Sequence, residues 1–172
     1  MFKVDIENKT LEVKKDTSIE DLIKSNFHYK DIVAAKINNN LCDLSDLIVS
    51  NCSIELIKSS DNEGLEIIRH TCAHLFGHAI KQIYPNTKMV IGPVIDNGFY
   101  YDIDTEETIS EKELSSIELL MKKLAKRKYK IIREVVTKNK ALKVFDERNE
   151  IYKLKLIKEI PENEIIAIYH HE

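Results

Sequence analysis

Six consecutive polar or small residues, Ser59-Ser60-Asp61-Asn62-Glu63-Gly64, divide this 172-residue chain into two short stretches. Such a run reads as a linker, with a first unit over residues 1–60, a junction at 61–64 and a second unit over 65–172. Neither unit is large, so each must build its own core from a small apolar inventory. With 43% hydrophobic and 32% charged residues, the composition is that of a soluble globular protein. No apolar run approaches the roughly 20 residues that cross a bilayer. Met1-Phe2-Lys3-Val4-Asp5 places charges where a signal peptide carries its apolar stretch, so a cytoplasmic location is expected. A formal charge of -3 excludes a globally basic nucleic-acid binder, but not a local basic patch. Cys42, Cys52 and Cys72 are odd in number and contain no Cys-x-x-Cys pair, which argues against a disulfide framework or a Cys-only zinc site.

The first unit reads as a small α/β assembly. Phe2-Lys3-Val4-Asp5-Ile6 and Thr10-Leu11-Glu12-Val13 alternate apolar and polar residues around Glu7-Asn8-Lys9, which predicts a hairpin. Thr17 or Ser18 can cap a helix through Ile19, Leu22 and Ile23, with Glu20 and Asp21 at its positive end. Ile32-Val33-Ala34-Ala35-Lys36-Ile37 predicts a buried strand, Asn38-Asn39-Asn40 a turn, and Ser53-Ile54-Glu55-Leu56-Ile57 a last strand. This order is that of a β-grasp, or ubiquitin-like, fold. His28 stands alone, and Cys42 and Cys52 read as small buried apolar groups.

The second unit predicts helices on a largely antiparallel sheet, so the whole chain is α+β. A helix is expected over residues 65–84, closed by Pro85, with Ile68, Cys72, Leu75, Ala79 and Ile83 as its buried stripe. Two apolar runs flank Asp96-Asn97-Gly98, and Asn-Gly between such runs is a strong hairpin signal. Ser110 and Glu113 form a capping box for a helix through Leu114, Ile117, Leu120, Met121 and Leu124. Residues 130–136 read as a strand, 141–147 as a short helix and 165–169 as another strand.

His70, His74 and His78 recur every four residues and share a helix face. A His-x-x-x-His pair can supply two imidazoles to one metal or one substrate, so His74 and His78 are metal candidates. Solvated histidines on a polar face are the alternative. Gly77 between them costs a helix about 1 kcal/mol, which implies a close neighbour, either backbone or ligand. His170 and His171 fit a metal by residue type but sit where chains fray. Lys122, Lys123, Lys126, Arg127, Lys128 and Lys130 end the capped helix. They suit its dipole or form a phosphate-binding patch for RNA.

The runs Arg69-His70-Thr71-Cys72-Ala73-His74-Leu75-Phe76-Gly77-His78 and Gly92-Pro93-Val94-Ile95-Asp96-Asn97-Gly98-Phe99-Tyr100-Tyr101-Asp102 closely resemble bacterial threonyl-tRNA synthetases, at the start of their editing domain. The upstream β-grasp unit is similar to their TGS domain. Alanyl-tRNA synthetase editing domains share the histidine spacing but not the second run beside a TGS unit. The resemblance implies ligation of threonine to tRNA(Thr) with ATP by the complete enzyme, and hydrolysis of mischarged seryl-tRNA(Thr) by the editing domain. It assigns His74 and His78 to the tRNA 3′ end and the attacking water, and Lys153, beside Tyr152, to serine discrimination. Tyr100, Tyr101 and Asp102 would lie near the same pocket, and Lys122, Lys123, Lys126 and Arg127 would contact tRNA.

The match stops at Tyr169-His170-His171-Glu172, before the family's Cys-x-x-x-His editing motif and its aminoacylation core. The expectation is therefore a truncated chain that does not charge tRNA. ATP, Mg and Zn, and a homodimer interface, would belong to the absent core, and no cofactor is expected for this chain. Two alternatives accompany this reading. One is a non-catalytic tRNA- or RNA-binding module. The other is a freestanding deacylase completed by a partner chain at an unpaired strand edge near residues 165–169.

Overall fold

The computed structural model describes residues 1–27, 30–106, 108–129 and 131–171, without the side chain of residue 171. His28 and Lys130 therefore lie outside the described residues. The chain splits into two units, Met1–Arg69 and His70–Glu172.

In the first unit, β1 (Phe2–Ile6) and β2 (Lys9–Val13) form an antiparallel hairpin in the register Phe2↔Val13. Its two-residue loop holds Glu7 and Asn8 at φ 49° and 60°, the left-handed pair that matches strand twist. Helix α1 (Ile19–Asn26) is capped by Ser18, whose hydroxyl accepts the Asp21 N–H at 3.1 Å. Strand β3 (Ile32–Ile37) turns through Asn38 and Asn39, at φ 48° and 67°, into β4 (Asn40–Cys42). The sequence pattern had not separated this three-residue strand from the irregular segment after it. Strand β5 (Cys52–Lys58) runs parallel to β1 and antiparallel to β3, giving the order β2-β1-β5-β3-β4. Val4, Ile6, Ile19, Leu22, Ala35, Ile48 and Ile54 are buried between α1 and this sheet.

Helix α2 (Asn62–Ile83) takes in three of the residues read as a linker, and the boundary between units falls within it. The Asp61 carboxylate accepts the Lys58 N–H at 2.8 Å, and its carbonyl accepts the Leu65 N–H at 2.8 Å. A Cβ on Gly64 would stand 1.9 Å from the Lys58 carbonyl oxygen. Small polar residues are thus needed here to start a helix hard against the end of a strand. The Lys36 ammonium pairs with the Glu63 carboxylate at 2.5 Å and ties the first turn to β3.

The buried stripe of α2 differs from the expected one. Ile68 and Ile83 are 39% and 37% exposed, Cys72 and Leu75 are half-buried, and of the expected stripe only Ala79 is fully buried. The inward face follows Ala73, Gly77 and Ile80, with Phe76 and Tyr84 partly covered. Small residues define it because bulky groups from elsewhere lie on it.

After Pro85 come β6 (Lys88–Met89), β7 (Val94–Ile95), β8 (Gly98–Phe99) and β9 (Ile103–Asp104). Strands β6 and β9 pair, as do β7 and β8, making one hairpin interrupted around Gly92-Pro93. Ile95 pairs with Gly98, so the two-residue loop is Asp96-Asn97, inside the expected Asp96-Asn97-Gly98 turn, and neither loop residue has a positive φ. Helix α3 (Glu111–Lys126) starts as its capping box predicts, with the Ser110 N–H donating to Glu113 at 2.6 Å. It buries Ile117 and Leu124, while Leu114 stays exposed.

The remainder is β10 (Ile131–Val136), α4 (Lys138–Glu147), α5 (Ile151–Glu159) and β11 (Ile166–His171). Strand β11 pairs antiparallel with β10 over six positions, from Ile131↔His171 to Val136↔Ile166. The strand near 165–169 thus has its partner upstream, and in this two-stranded sheet the other edge of β11 has no strand paired to it among the described residues. His170 does not fray, since its ring nitrogen meets the Glu134 carboxylate at 3.1 Å. Helix α5 was not anticipated, because Tyr152-Lys153-Leu154-Lys155-Leu156 alternates with a period of two.

Two glycine substitutions rank these contacts. Gly64→Ala is expected to destabilise the protein by about 1–3 kcal/mol or more, since the added methyl meets backbone. Gly77→Ala, whose methyl would press on the flexible end of Met89 at 3.3 Å and touch the Tyr101 ring at 3.6 Å, is expected to cost less than Gly64→Ala. Urea denaturation of both variants checks the order.

Candidate functional site

The second unit brings three segments to α2: the β6–β9 hairpin, Tyr129 after α3, and the start of α5. His74 is exposed, and its Nε2 lies 2.8 Å from His70 Nε2, with ring centroids 4.7 Å apart. One nitrogen of this contact must carry the hydrogen and the other a lone pair. His78 is half-buried; the Gln82 amide lies 2.9 Å from its Nε2, and the Tyr129 ring is 6.3 Å away. The two site histidines thus turn Nε2 to different partners. Among the described residues no group of three His, Cys, Asp or Glu side chains assembles a metal centre, so the donor set does not fit a zinc ion, which needs three or four ligands.

Between them on the helix, Gly77 admits Tyr101. A Cβ on Gly77 would lie 3.6 Å from the Tyr101 ring, and one on Gly92 only 2.6 Å from it. The Tyr101 ring therefore fills two glycine gaps at once, one on α2 and one on its own hairpin, with Phe76 6.0 Å away. Burial, with the Glu150 charge adding to it, raises the Tyr101 hydroxyl above its usual pKa and keeps it protonated. Tyr100 is 46% exposed and the Asp102 side chain is exposed. Of the three hairpin residues expected near the pocket, Tyr101 is a packing residue and the other two face outward.

Lys153 sits on α5 and donates to the Val90 carbonyl at 3.0 Å. Burial lowers its pKa, partly offset by the Glu150 charge. Glu150 is 6% exposed. Its carboxylate accepts from the Lys81 ammonium at 2.7 Å and from the Met89 N–H at 3.2 Å, and Lys81 also donates to the Thr87 carbonyl at 2.9 Å. Local chain geometry delivers Glu150 there. Asn149 at φ 54° ends α4, with Asn149 N–H on Asp146 O at 2.8 Å and Glu150 N–H on Phe145 O at 2.9 Å. That pair of bonds is a Schellman motif. Next door, the Tyr152 hydroxyl donates to Asp104 at 2.8 Å.

The basic residues end α3. Lys123 and Lys126 are exposed, and Lys122 is exposed and paired with Glu118 at 2.6 Å. Arg127 donates to the Tyr129 hydroxyl at 2.6 Å. Tyr129 therefore links the basic end of α3 to His78.

No family model matches the chain. Over 143 residues, 83% of this chain, it is 46% identical to the threonine--tRNA ligase of Psychrobacter arcticus. The chain is a relative of threonine--tRNA ligase. It spans 22% of the length of that ligase.

Within this relative of threonine--tRNA ligase, four site neighbours escaped sequence reasoning: His70 as the partner of His74, Gln82, Tyr129 and Glu150. His70 and Gln82 carried a signal, being four residues from His74 and His78 on the same helix. Glu150 and Tyr129 carried none, because Lys81 and Met89 are remote in sequence from the one and His78 from the other.

A buried cation of lowered pKa opposes folding wherever it is charged. The unfolded chain binds the extra proton between the lowered pKa and the usual 10.5, so the penalty is full below the lowered value and fades as pH rises toward 10.5. Lys153→Met is therefore expected to raise the melting temperature by a few degrees at pH 7. The advantage should shrink as pH rises toward 10.5, as read by thermal melts from neutral into the alkaline range.

Proposed function

We propose that this chain is the tRNA-facing, proofreading region of a threonine--tRNA ligase. Residues 1–60 act as a TGS domain of β-grasp form, and residues 65–172 as part of an editing domain that hydrolyses serine from tRNA(Thr). The strand order β2-β1-β5-β3-β4, with β1 and β5 parallel, supports the first half. The observation that carries the second is placement: the hairpin that holds Lys153 at Val90 also lays Tyr101 against Gly77, between His74 and His78.

Serine lacks only one methyl of threonine, and a methyl is worth about 1–3 kcal/mol of discrimination. A second, hydrolytic site is the chemical remedy. Water attacks the ester carbonyl carbon, the bond to the ribose oxygen breaks, and the water proton ends on that ribose oxygen. His74 and His78 bind the tRNA 3′ end and take the proton from water. The Lys153 ammonium, with no carboxylate hydrogen-bonded to it among the described residues, binds the aminoacyl group and sets its size limit.

The purified chain is expected to deacylate seryl-tRNA(Thr) faster than threonyl-tRNA(Thr). His74→Ala should slow this by about 100-fold or more, the scale of a lost general base. Hydrolysis no faster than buffer would sink the proposal.

A second reading, a tRNA-binding module without chemistry, is favoured by the exposed Lys123, Lys126 and Arg127. Four phosphate contacts from Lys122, Lys123, Lys126 and Arg127 give a log–log salt dependence of about -3. Changing Lys126 and Arg127 to Gln should flatten that slope by about one per charge removed, measured by filter binding. Binding indifferent to salt would exclude this patch.

A further inference from the structure

The one buried carboxylate of the second unit among the described residues has no part in the chemistry above. Glu150 opens α5, yet its side chain does not cap that helix. It turns inward instead, to Lys81 on α2 and the Met89 N–H on β6. Lys153 follows three residues later, on the same side of the first turn, with its ammonium on the carbonyl of Val90, the residue after Met89. Two cations and one anion thus meet at one strand. A buried carboxylate is costly unless paired, so a position spent on Glu150 needs a return.

We propose that Glu150 is the positioning residue of this site: a carboxylate, anchored by Lys81 and the Met89 N–H, that holds Lys153 at Val90 as a charged ammonium. This rests on the proofreading reading for its functional consequence, but not for its electrostatics. Among the described residues, Glu150 on its own helix is the charged group that acts on Lys153, while Lys81 on α2 bonds to Glu150 and Tyr101 on the hairpin feels the Glu150 charge. Tyr101 stays protonated and adds no charge, and Asp104 is bonded to Tyr152. Glu150 is then the anion that opposes the effect of burial on Lys153. Lys81 tempers that anion. Removing each partner must therefore move Lys153 in opposite directions: Glu150→Gln makes it easier to deprotonate, and Lys81→Met makes it harder.

The test is competitive labelling of the full 172-residue chain with trace acetic anhydride across pH, the modification of Lys153 being read by peptide mass spectrometry. Glu150→Gln should lower the pH midpoint of Lys153 labelling by about one unit, the scale of a lost neighbouring charge. Lys81→Met should raise it, and Glu150→Asp should restore most of the wild-type value. General loosening would move Gln and Met variants the same way, and that result, or no shift in either, overturns the proposal. If Glu150→Gln fails to fold by circular dichroism, the Lys81→Met arm decides, an unchanged or lowered midpoint being the overturning result. In the deacylation assay the alkaline limb of the pH profile should fall with the Glu150→Gln midpoint. Opposite labelling shifts in a chain that deacylates nothing would uphold the role of Glu150 and refute the proofreading reading alone.

Discussion

A carboxylate with almost no access to water can persist only where donors surround it, and Glu150 is such a group. Its Lys81 and Met89 contacts register α2, β6 and the start of α5 against one another. Much else in the second unit follows. Met89 is held where its side chain overlies Gly77, and the next residue, Val90, offers the carbonyl that receives Lys153. The Schellman turn at Asn149 makes this possible, because it reverses the chain with Glu150 as its next residue.

Absent side chains matter as much as present ones. Gly77 and Gly92 both abut the Tyr101 ring, and a methyl at Gly92 would overlap it. The helix carrying His74 and His78 therefore accepts an aromatic ring against Gly77, and the hairpin ladder is interrupted around Gly92-Pro93, beside that ring. In the first unit, left-handed residues do comparable work. Asn8, Asn38 and Asn39 turn the chain in two-residue loops, so that β1 and β5 run parallel at the middle of a sheet whose other pairings are antiparallel.

Local features of this chain were legible because their partners are near in sequence. The Ser18 and Ser110 helix starts and the β1–β2 and β7–β8 hairpins rest on contacts a few residues apart, and the strands of the first unit show in their own apolar patterns. Legibility failed where distant groups competed. The stripe of α2 was read through Ile68 and Ile83, the largest residues at helical spacing, whereas the buried face runs through Ala73 and Gly77 because Met89 and Tyr101 supply the bulk from outside. Asp96-Asn97-Gly98 located its hairpin turn, and the Ile95↔Gly98 pairing narrows the loop to Asp96-Asn97. Helix α5 hid behind an alternating run, since its helical state follows from the turn before it and from packing of Ile157.

For the candidate site, the sequence by itself determined the residue types and their spacing: imidazoles four residues apart on one helix, a glycine between them, a lysine beside a tyrosine, cations at a helix end. Those follow from covalent order and the 3.6-residue turn. Tertiary structure alone decided which of these meet. It set His74 against His70 and His78 against Gln82, brought Lys153 to Val90, and enclosed Glu150 between Lys81 and Met89. The physical reason is that burial and charge pairing act through space, on groups 61 and 69 residues apart along the chain, and no local pattern encodes them.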